Sequence, residues 1–591
     1  MIKLQPKDKR ALLKCALGQI EADTVVTNIK LVNVLTGEIY PADVYIYDGF
    51  IAHVETEVVG KDLKAGTVIN GNGNYLIPGF IDAHVHIESS MLTPRNFAKG
   101  VINHGTTTVV TDPHEISNVF GVEAVEYMHN SSEGLPMRQL IDIPSCVPAV
   151  PGLENSGAAF FAKEITQLSK LERVIGLAEV MDFVAVQNGE DRMMDIIEAA
   201  ENAGLYIQGH APFMSGRALS AYTIGGPKTC HESRNASEFL EKLRIGMFVD
   251  ARESSIAKDI KQGVKGTKNC KFLDNFCICT DDREADDILN HGQLNLVVRK
   301  AIEYGMDEVT AIKSATYNTA REIKIDNLGA IAPGYVADMQ IVSSLKKLEP
   351  SLVMFEGNVV SKNGKLTHEI EDKEFELEKR NSVNIKDLTI DKLIFKAPIQ
   401  NGKIKVNVMT YADLELSITN AVVEELNVVD GKLDISNDKN LKFCAVINRY
   451  GRGNIGYGVI RNFGTTKGAV ASTVSHDCHN LIVVYDTPEN AILAANALIE
   501  CGGGMSTAFD NKLQGVLELK IGGLMSNKDA SSVSEDCKIM KKLLCEIGLT
   551  AMDNPLLRIV TLALPVIPNC KMSDLGIVDV MKKEIIPLYL A

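Results

Sequence analysis

The chain has 591 residues, of which 45% are hydrophobic and 23% charged, and a formal net charge of −15; that is several domains of an ordinary globular composition. The acidic balance argues against a nucleic-acid partner, because phosphate binding needs a basic surface, although a base without phosphates escapes that argument. Apolar runs break before the ~20 residues needed to cross a bilayer, and no apolar stretch follows the lysines of Met1 to Arg10, so neither a membrane span nor a secretory leader is expected.

Residues 1–20 read as a helix with apolar positions at Leu12, Leu13, Ala16 and Leu17. From Val25 to Ile69 short alternating strands follow, as in Ala42-Asp-Val-Tyr-Ile-Tyr. From about residue 72 short apolar runs, each ending in polar residues, alternate with helical stretches. The runs end in Phe80-Ile-Asp-Ala-His-Val-His, Thr108-Val-Val-Thr-Asp-Pro-His, Leu140-Ile-Asp-Ile-Pro, Ile175-Gly-Leu-Ala-Glu, Leu205-Tyr-Ile-Gln-Gly-His, Lys228-Thr-Cys-His, Met247-Phe-Val-Asp and Cys277-Ile-Cys-Thr-Asp-Asp. Eight strand–helix units match a (β/α)8 barrel; the sixth run is weak as a strand and is admitted because the count closes. Leu328–Met339 returns to strand-like patterning, and beyond the charged stretch Glu369–Arg380 strands such as Leu481–Tyr485 mix with helices such as Ala491–Ile499. The expected fold is α/β: a TIM-like barrel over 73–324, a small β domain from 1–72 completed by about 325–375, and a C-terminal α+β domain over 385–591.

In such a barrel the strand ends converge on one pocket. His84 and His86 are two apart on one strand and face the same way. Glu179, His210, His231 and Asp281 end four other runs. A lone histidine is usually structural, but four of the eight barrel histidines stand at strand ends, and His114 lies just past another. Imidazoles mixed with carboxylates suit zinc, manganese or iron. Six donors exceed the needs of one tetrahedral ion with an open position and fit two ions sharing a carboxylate and an activated water. No Arg or Lys is read at the other strand ends, which weighs against Glu179 being a plain ion-paired carboxylate. Asp112, His114 and Glu115 follow the second run, where they fit the pocket rim, as substrate or additional metal groups, or a helix start. Glu88 fits either a proton shuttle or a partner to a ligand histidine. His476 and His479, three apart, read more readily as ordinary residues than as a second metal site. The 12 cysteines form no framework, which points to reduced thiols in a cytoplasmic protein.

Ile77-Pro-Gly-Phe-Ile-Asp-Ala-His-Val-His resembles the first-strand motif of the amidohydrolase superfamily, and Pro333-Gly-Tyr-Val-Ala-Asp its closing segment. Most binuclear members carry a carboxylated lysine where Glu179 stands. That departure, with His-Ile-Glu-Ser-Ser at 86–90, Asp-Pro-His-Glu at 112–115, Gly502-Gly-Gly-Met and Ala563-Leu-Pro-Val-Ile-Pro, is similar to the adenine deaminase family. The resemblance implies His84, His86, Glu179, His210 and Asp281 as metal ligands with Glu179 bridging, His231 at the second metal or the substrate edge, and Asp281 rather than Asp282 as the catalytic carboxylate, with Glu88 a candidate acid. It implies two divalent ions per subunit, manganese with iron or zinc as alternatives, adenine as the small-molecule substrate, and hydrolysis to hypoxanthine and ammonia in purine salvage. A homo-oligomer, such as a homodimer, is the expected assembly. A hydantoinase- or dihydroorotase-like reaction is the alternative; a non-enzymatic scaffold would be expected to have lost donors. No Pro-Cys-x-x-Cys occurs, which sets aside the other zinc deaminase type.

Overall fold

The computed structural model describes residues 4–412, 418–552, 554–567 and 569–590. Its first helix, Lys9–Ala16, is shorter than the one expected over 1–20, of which Met1, Ile2 and Lys3 lie outside the described residues. Asp8 caps it, accepting from the Arg10 and Ala11 N–H groups at 2.9 and 3.1 Å. Gly18, at φ +66°, turns the chain out of it. Leu13 and Leu17, read as part of its apolar stripe, are 57% and 72% exposed; Cys15 makes the buried contact, toward Ala22 and Ala52.

One sheet is assembled from two distant stretches of chain. Ala22–Asn33, Glu38–Tyr47, Phe50–Glu55, Ala65–Asn70 and Tyr75–Pro78 precede the barrel, and Met339–Val342, Pro350–Phe355, Asn358–Lys362 and Lys365–Leu366 follow it. Tyr75–Pro78 pairs antiparallel with Met339–Val342, Ile77 opposite Gln340, so the barrel begins and ends in the same sheet.

The barrel strands are β1 (Phe80–His86), β2 (Thr106–Thr111), β3 (Arg138–Ile143), β4 (Val174–Val180), β5 (Tyr206–Gly209), β6 (Thr229–Cys230), β7 (Phe248–Arg252) and β8 (Phe276–Cys279). Consecutive strands β1 to β5 pair in parallel, as do β6 to β8. The Lys228 N–H bonds the Ile207 carbonyl at 3.1 Å between β5 and β6. Asp281–Asp282 runs beside Val85–His86 and closes the circle. This is the expected (β/α)8 architecture. All residues of β1 to β5 are buried, because helices cover the outer face of a parallel sheet. Strand β6 is only two residues long: Gly226, at φ +134°, and Pro227, which has no N–H, hold the chain out of the ladder before it.

The C-terminal region is built on a ten-stranded sheet with helices Pro488–Cys501 and Ala530–Glu546. Two of its connections cover the open ends of the barrel strands. One is the loop 473–480 between the antiparallel strands Ala469–Ser472 and Leu481–Tyr485; the other is the segment 557–567. Pro568, the last residue of the 563–568 motif, lies outside the described residues. Among the described residues no helix is long and apolar enough to cross a membrane.

Candidate metal centre

Strand alternation aims His84 and His86 the same way, and the ends of β4, β5, β6 and β8 bring Glu179, His210, His231 and Asp281 to them. All six are buried. Asp281 Oδ1 lies 3.2 Å from His86 Nε2 and 3.6 Å from His84 Nε2. Glu179 stands in the middle: Oε1 is 3.6 Å from His86 Nε2, and Oε2 is 3.2 Å from His231 Nε2 and 2.5 Å from His210 Nδ1. The rings of His84 and His231 stack with centroids 4.1 Å apart.

The donor set fits a metal. His84 Nδ1 faces Gln208 Oε1 at 2.7 Å and His86 Nδ1 faces the Asp112 carbonyl at 3.0 Å. Both Nδ1 atoms must donate, which leaves both Nε2 atoms as bare acceptors. Those two acceptors face each other at 3.1 Å, an arrangement that needs a cation. Donors on one ion with ~2.1 Å bonds sit roughly 3.0 Å apart at right angles and 3.4 Å apart at tetrahedral angles, which is the spacing found between His84, His86 and Asp281. Buried groups able to hold a divalent metal therefore exist here, among them His84–His231–Asp281 and Glu179–His210–His231.

Electrostatics keep the carboxylates charged. Burial pushes the Glu179 pKa up, but the facing His210 and His231 outweigh it and hold it well below the carboxylate range. Burial is likewise overcome at Asp281 by Arg252 first, then by His84 and His86. Arg252, at the end of β7, pairs with Asp281 and reaches Glu232 Oε1 at 2.6 Å and Asp259 Oδ2 at 3.3 Å. The expectation of no cation at the strand ends is thus corrected, though this guanidinium serves Asp281 and not Glu179. Its sequence signal was the same alternation that pairs the histidines: Asp250-Ala-Arg252.

The remaining candidates divide. Asp112 makes the helix-start contact, Oδ1 accepting the His114 N–H at the start of helix His114–Phe120 at 3.1 Å, and its Oδ2 holds His114 Nδ1 at 3.0 Å. Glu115 accepts from Ser89 Oγ at 2.9 Å, and the same hydroxyl reaches Asp282 Oδ1 at 2.6 Å. Asp282 lies on the chamber wall beside this loop contact. Glu88 sits in the short 3-10 turn after β1, where the alternation that aims the histidines has ended. Its Oε1 accepts from the Ile116 N–H at 3.3 Å and makes no hydrogen bond to a ligand histidine; burial and Glu115 raise its pKa to about 8. His476 and His479, read as ordinary residues, are buried under the cover: His476 Nδ1 lies 3.7 Å from Glu115 Oε1 and 3.6 Å from Asp477 Oδ1.

A chamber of about 70 Å³ lies against the cluster, walled by Glu179, His210, Asp281 and Asp282 from the barrel, His476 and Asp477 from the cover, and apolar Met181, Ile256 and Leu564. Through His210, Glu232 and Arg234 it shares walls with an outer cavity of about 580 Å³ between barrel and cover.

Comparison with known proteins bears on both halves. Residues 75–360 match the amidohydrolase family, and residues 417–584 match the adenine deaminase C-terminal domain. Over 570 residues the chain is 37% identical to an adenine deaminase of Clostridium acetobutylicum, covering 96% of this chain and 97% of that one. The chain belongs to the adenine deaminase family. It is also 36% identical over 586 residues to the family's member from Moorella thermoacetica, covering 98% of each chain, and 38% identical over 579 residues to that from Listeria innocua, covering 96% and 97%. The family resemblance seen in the motifs is therefore met along nearly the whole length.

Proposed function

We propose that this chain hydrolyses adenine at C6, releasing ammonia and leaving hypoxanthine. The observation that carries the reading is one chain joining the His84–His86–Glu179–Asp281 cluster to a cover matching the adenine deaminase C-terminal domain. His84, His86, Glu179, His210, His231 and Asp281 would hold two divalent ions. Three or more carboxylates nearby favour manganese over zinc. Bound there, the ions supply acidity, lowering the pKa of a coordinated water from 15.7 toward ~7.

The chain's own groups do the rest. Asp281, within 3.6 Å of both β1 imidazoles, accepts a proton from the attacking water and returns it to the leaving amine. Arg252 fixes its carboxylate. The ring nitrogen needs a separate acid. We place it at His476, whose Nδ1 is turned to Glu115 and Asp477 while the ring lies on the chamber wall, and not at Glu88, which is held under the helix after β2. Met181, Ile256 and Leu564 give a flat base an apolar wall.

The test is ammonia release by metal-replete protein from adenine and adenosine, with ring opening of hydantoin and dihydroorotate followed alongside. Adenine is expected to react. Adenosine is expected to react poorly. Ring opening of hydantoin or dihydroorotate with no action on adenine would overturn the assignment.

A further inference from the structure

Two lone pairs oppose each other where the cover meets the barrel. His114 Nδ1 is 3.0 Å from Asp112 Oδ2, so that nitrogen carries a proton, and in the neutral ring Nε2 is then an acceptor. Nε2 points at a second acceptor, Asp477 Oδ1, at 3.5 Å. Both side chains are buried, and neither His114 Nε2 nor Asp477 Oδ2 has a hydrogen-bond partner. A buried acceptor left unsatisfied costs about 1–3 kcal/mol, more when charged, so the arrangement calls for a positive species between them. The thiol of Cys146, on the loop after β3, completes the group: one ligand atom each from His114, Cys146 and Asp477 lie within 4.8 Å of one another.

We propose that His114, Cys146 and Asp477 bind a divalent ion of the zinc class, distinct from the ions of the barrel cluster.

The spacing favours a metal over a proton. An imidazolium–carboxylate hydrogen bond closes to about 2.7–2.9 Å, well short of the observed 3.5 Å. Two donors on a tetrahedral ion with ~2.1 Å bonds stand about 3.4 Å apart. A proton would also leave Asp477 Oδ2 and the thiol without a role, whereas an ion recruits all three side chains. Nitrogen, oxygen and sulfur donors together are a zinc-type set, and a coordinating thiol gives up its proton. Asp112 behind His114 supplies the carboxylate that orients a ligand imidazole. Because His114 and Cys146 come from the barrel and Asp477 from the cover, the ion fastens one to the other beside the chamber. The site is separate from the adenine reading in its ligands: it uses none of His84, His86, Glu179, His210, His231 and Asp281, although His114 Nδ1 stands 3.8 Å from Glu179 Oε1, and it predicts nothing about substrate.

Full-length apo-protein loaded with cobalt(II) alone tests it. The barrel donors include no cysteine, so a thiolate-to-cobalt charge-transfer absorption is expected from this site only. Cys146→Ala should abolish that absorption and lower bound metal by one equivalent while leaving the others, and Asp477→Asn should weaken the same equivalent. An anomalous difference map of zinc-loaded wild-type crystals should show a peak between the three side chains, whether or not the variants fold. No charge-transfer band in the wild type, a band that survives in Cys146→Ala, or anomalous peaks confined to the barrel cluster would each overturn the proposal. A peak here with none in the barrel would leave it standing and remove the barrel reading instead.

Discussion

Asn in place of Asp281 keeps the shape of the side chain and removes its charge and its ability to take a proton. The carboxyl is 2% exposed and lies 3.2 and 3.6 Å from the two β1 imidazoles, so water cannot stand in for it. General acid–base catalysis contributes about 10²–10⁴-fold, or about 2.7–5.4 kcal/mol at ~1.36 kcal/mol per decade. With weakened metal binding added, kcat/KM is expected to fall on the order of a thousandfold or more. The fold should suffer less than the about 3–5 kcal/mol of a fully broken buried pair, because Arg252 keeps Glu232 at 2.6 Å and Asp259 at 3.3 Å. Asp282 is the internal control. It is partly exposed and accepts from Ser89 at 2.6 Å, a bond that an Asn oxygen also accepts, so Asp282→Asn should cost about tenfold or less, the scale of one hydrogen bond. Both variants are compared by steady-state ammonia release, with metal content and melting temperature measured on the same samples. A larger loss for Asp282→Asn than for Asp281→Asn would refute the assignment of roles.

Glutamate already carries two anionic oxygens, so metal-stripped protein should recover activity on metal alone in carbon-dioxide-depleted buffer; a strict bicarbonate requirement would show that a carboxylated lysine supplies the bridge. The Tyr206 hydroxyl joins Asp142 at 2.5 Å to Gln208 at 3.1 Å, and Gln208 orients His84. Tyr206→Phe is therefore expected to weaken metal binding about 10–100-fold in a chelator titration, and unchanged affinity would show that the relay does not position the ligand. Burial holds the Asp142 carboxyl at about 8, against ~3.9 when unfolded, so the stability of its neutral form is complete below the unfolded value and is lost as pH rises through about 8. Asp142→Asn should then melt higher than the wild type at alkaline pH, with the gap closing toward acid; a constant difference across the range would count against a titrating Asp142.

The strand ends were legible because buried parallel strands appear as continuous apolar runs, and each run stops at the residue that meets the pocket. His84 and His86 needed only strand alternation. Arg252 obeys the same rule, two residues beyond Asp250, where the apolar part of the seventh run ends. The short β6 was weak in sequence for a reason the structure supplies, Gly226 and Pro227 ahead of it. Leu13 and Leu17 misled because a single turn of apolar residues does not say which face is covered. His476 and Asp477 could not be placed from their neighbours at all: loop 473–480 is buried by docking onto a barrel built from residues far earlier in the chain, and no local pattern encodes that contact. Glu88 lay beyond the end of the strand periodicity that would have aimed it.

The pairing of Tyr75–Pro78 with Met339–Val342 also sets a timetable for synthesis. At ~5–20 residues per second, the about 260 intervening residues take roughly 13–52 s to emerge. Throughout that interval Leu76 and Ile77, both fully buried in the finished protein, belong to a strand paired on one edge only, with Ala22–Asn33, and its other, unpaired apolar edge is a template for wrong pairing. The nascent chain is accordingly at greatest risk of misassembly before the barrel is complete, and once the returning strand locks on, both ends of the barrel become anchored together.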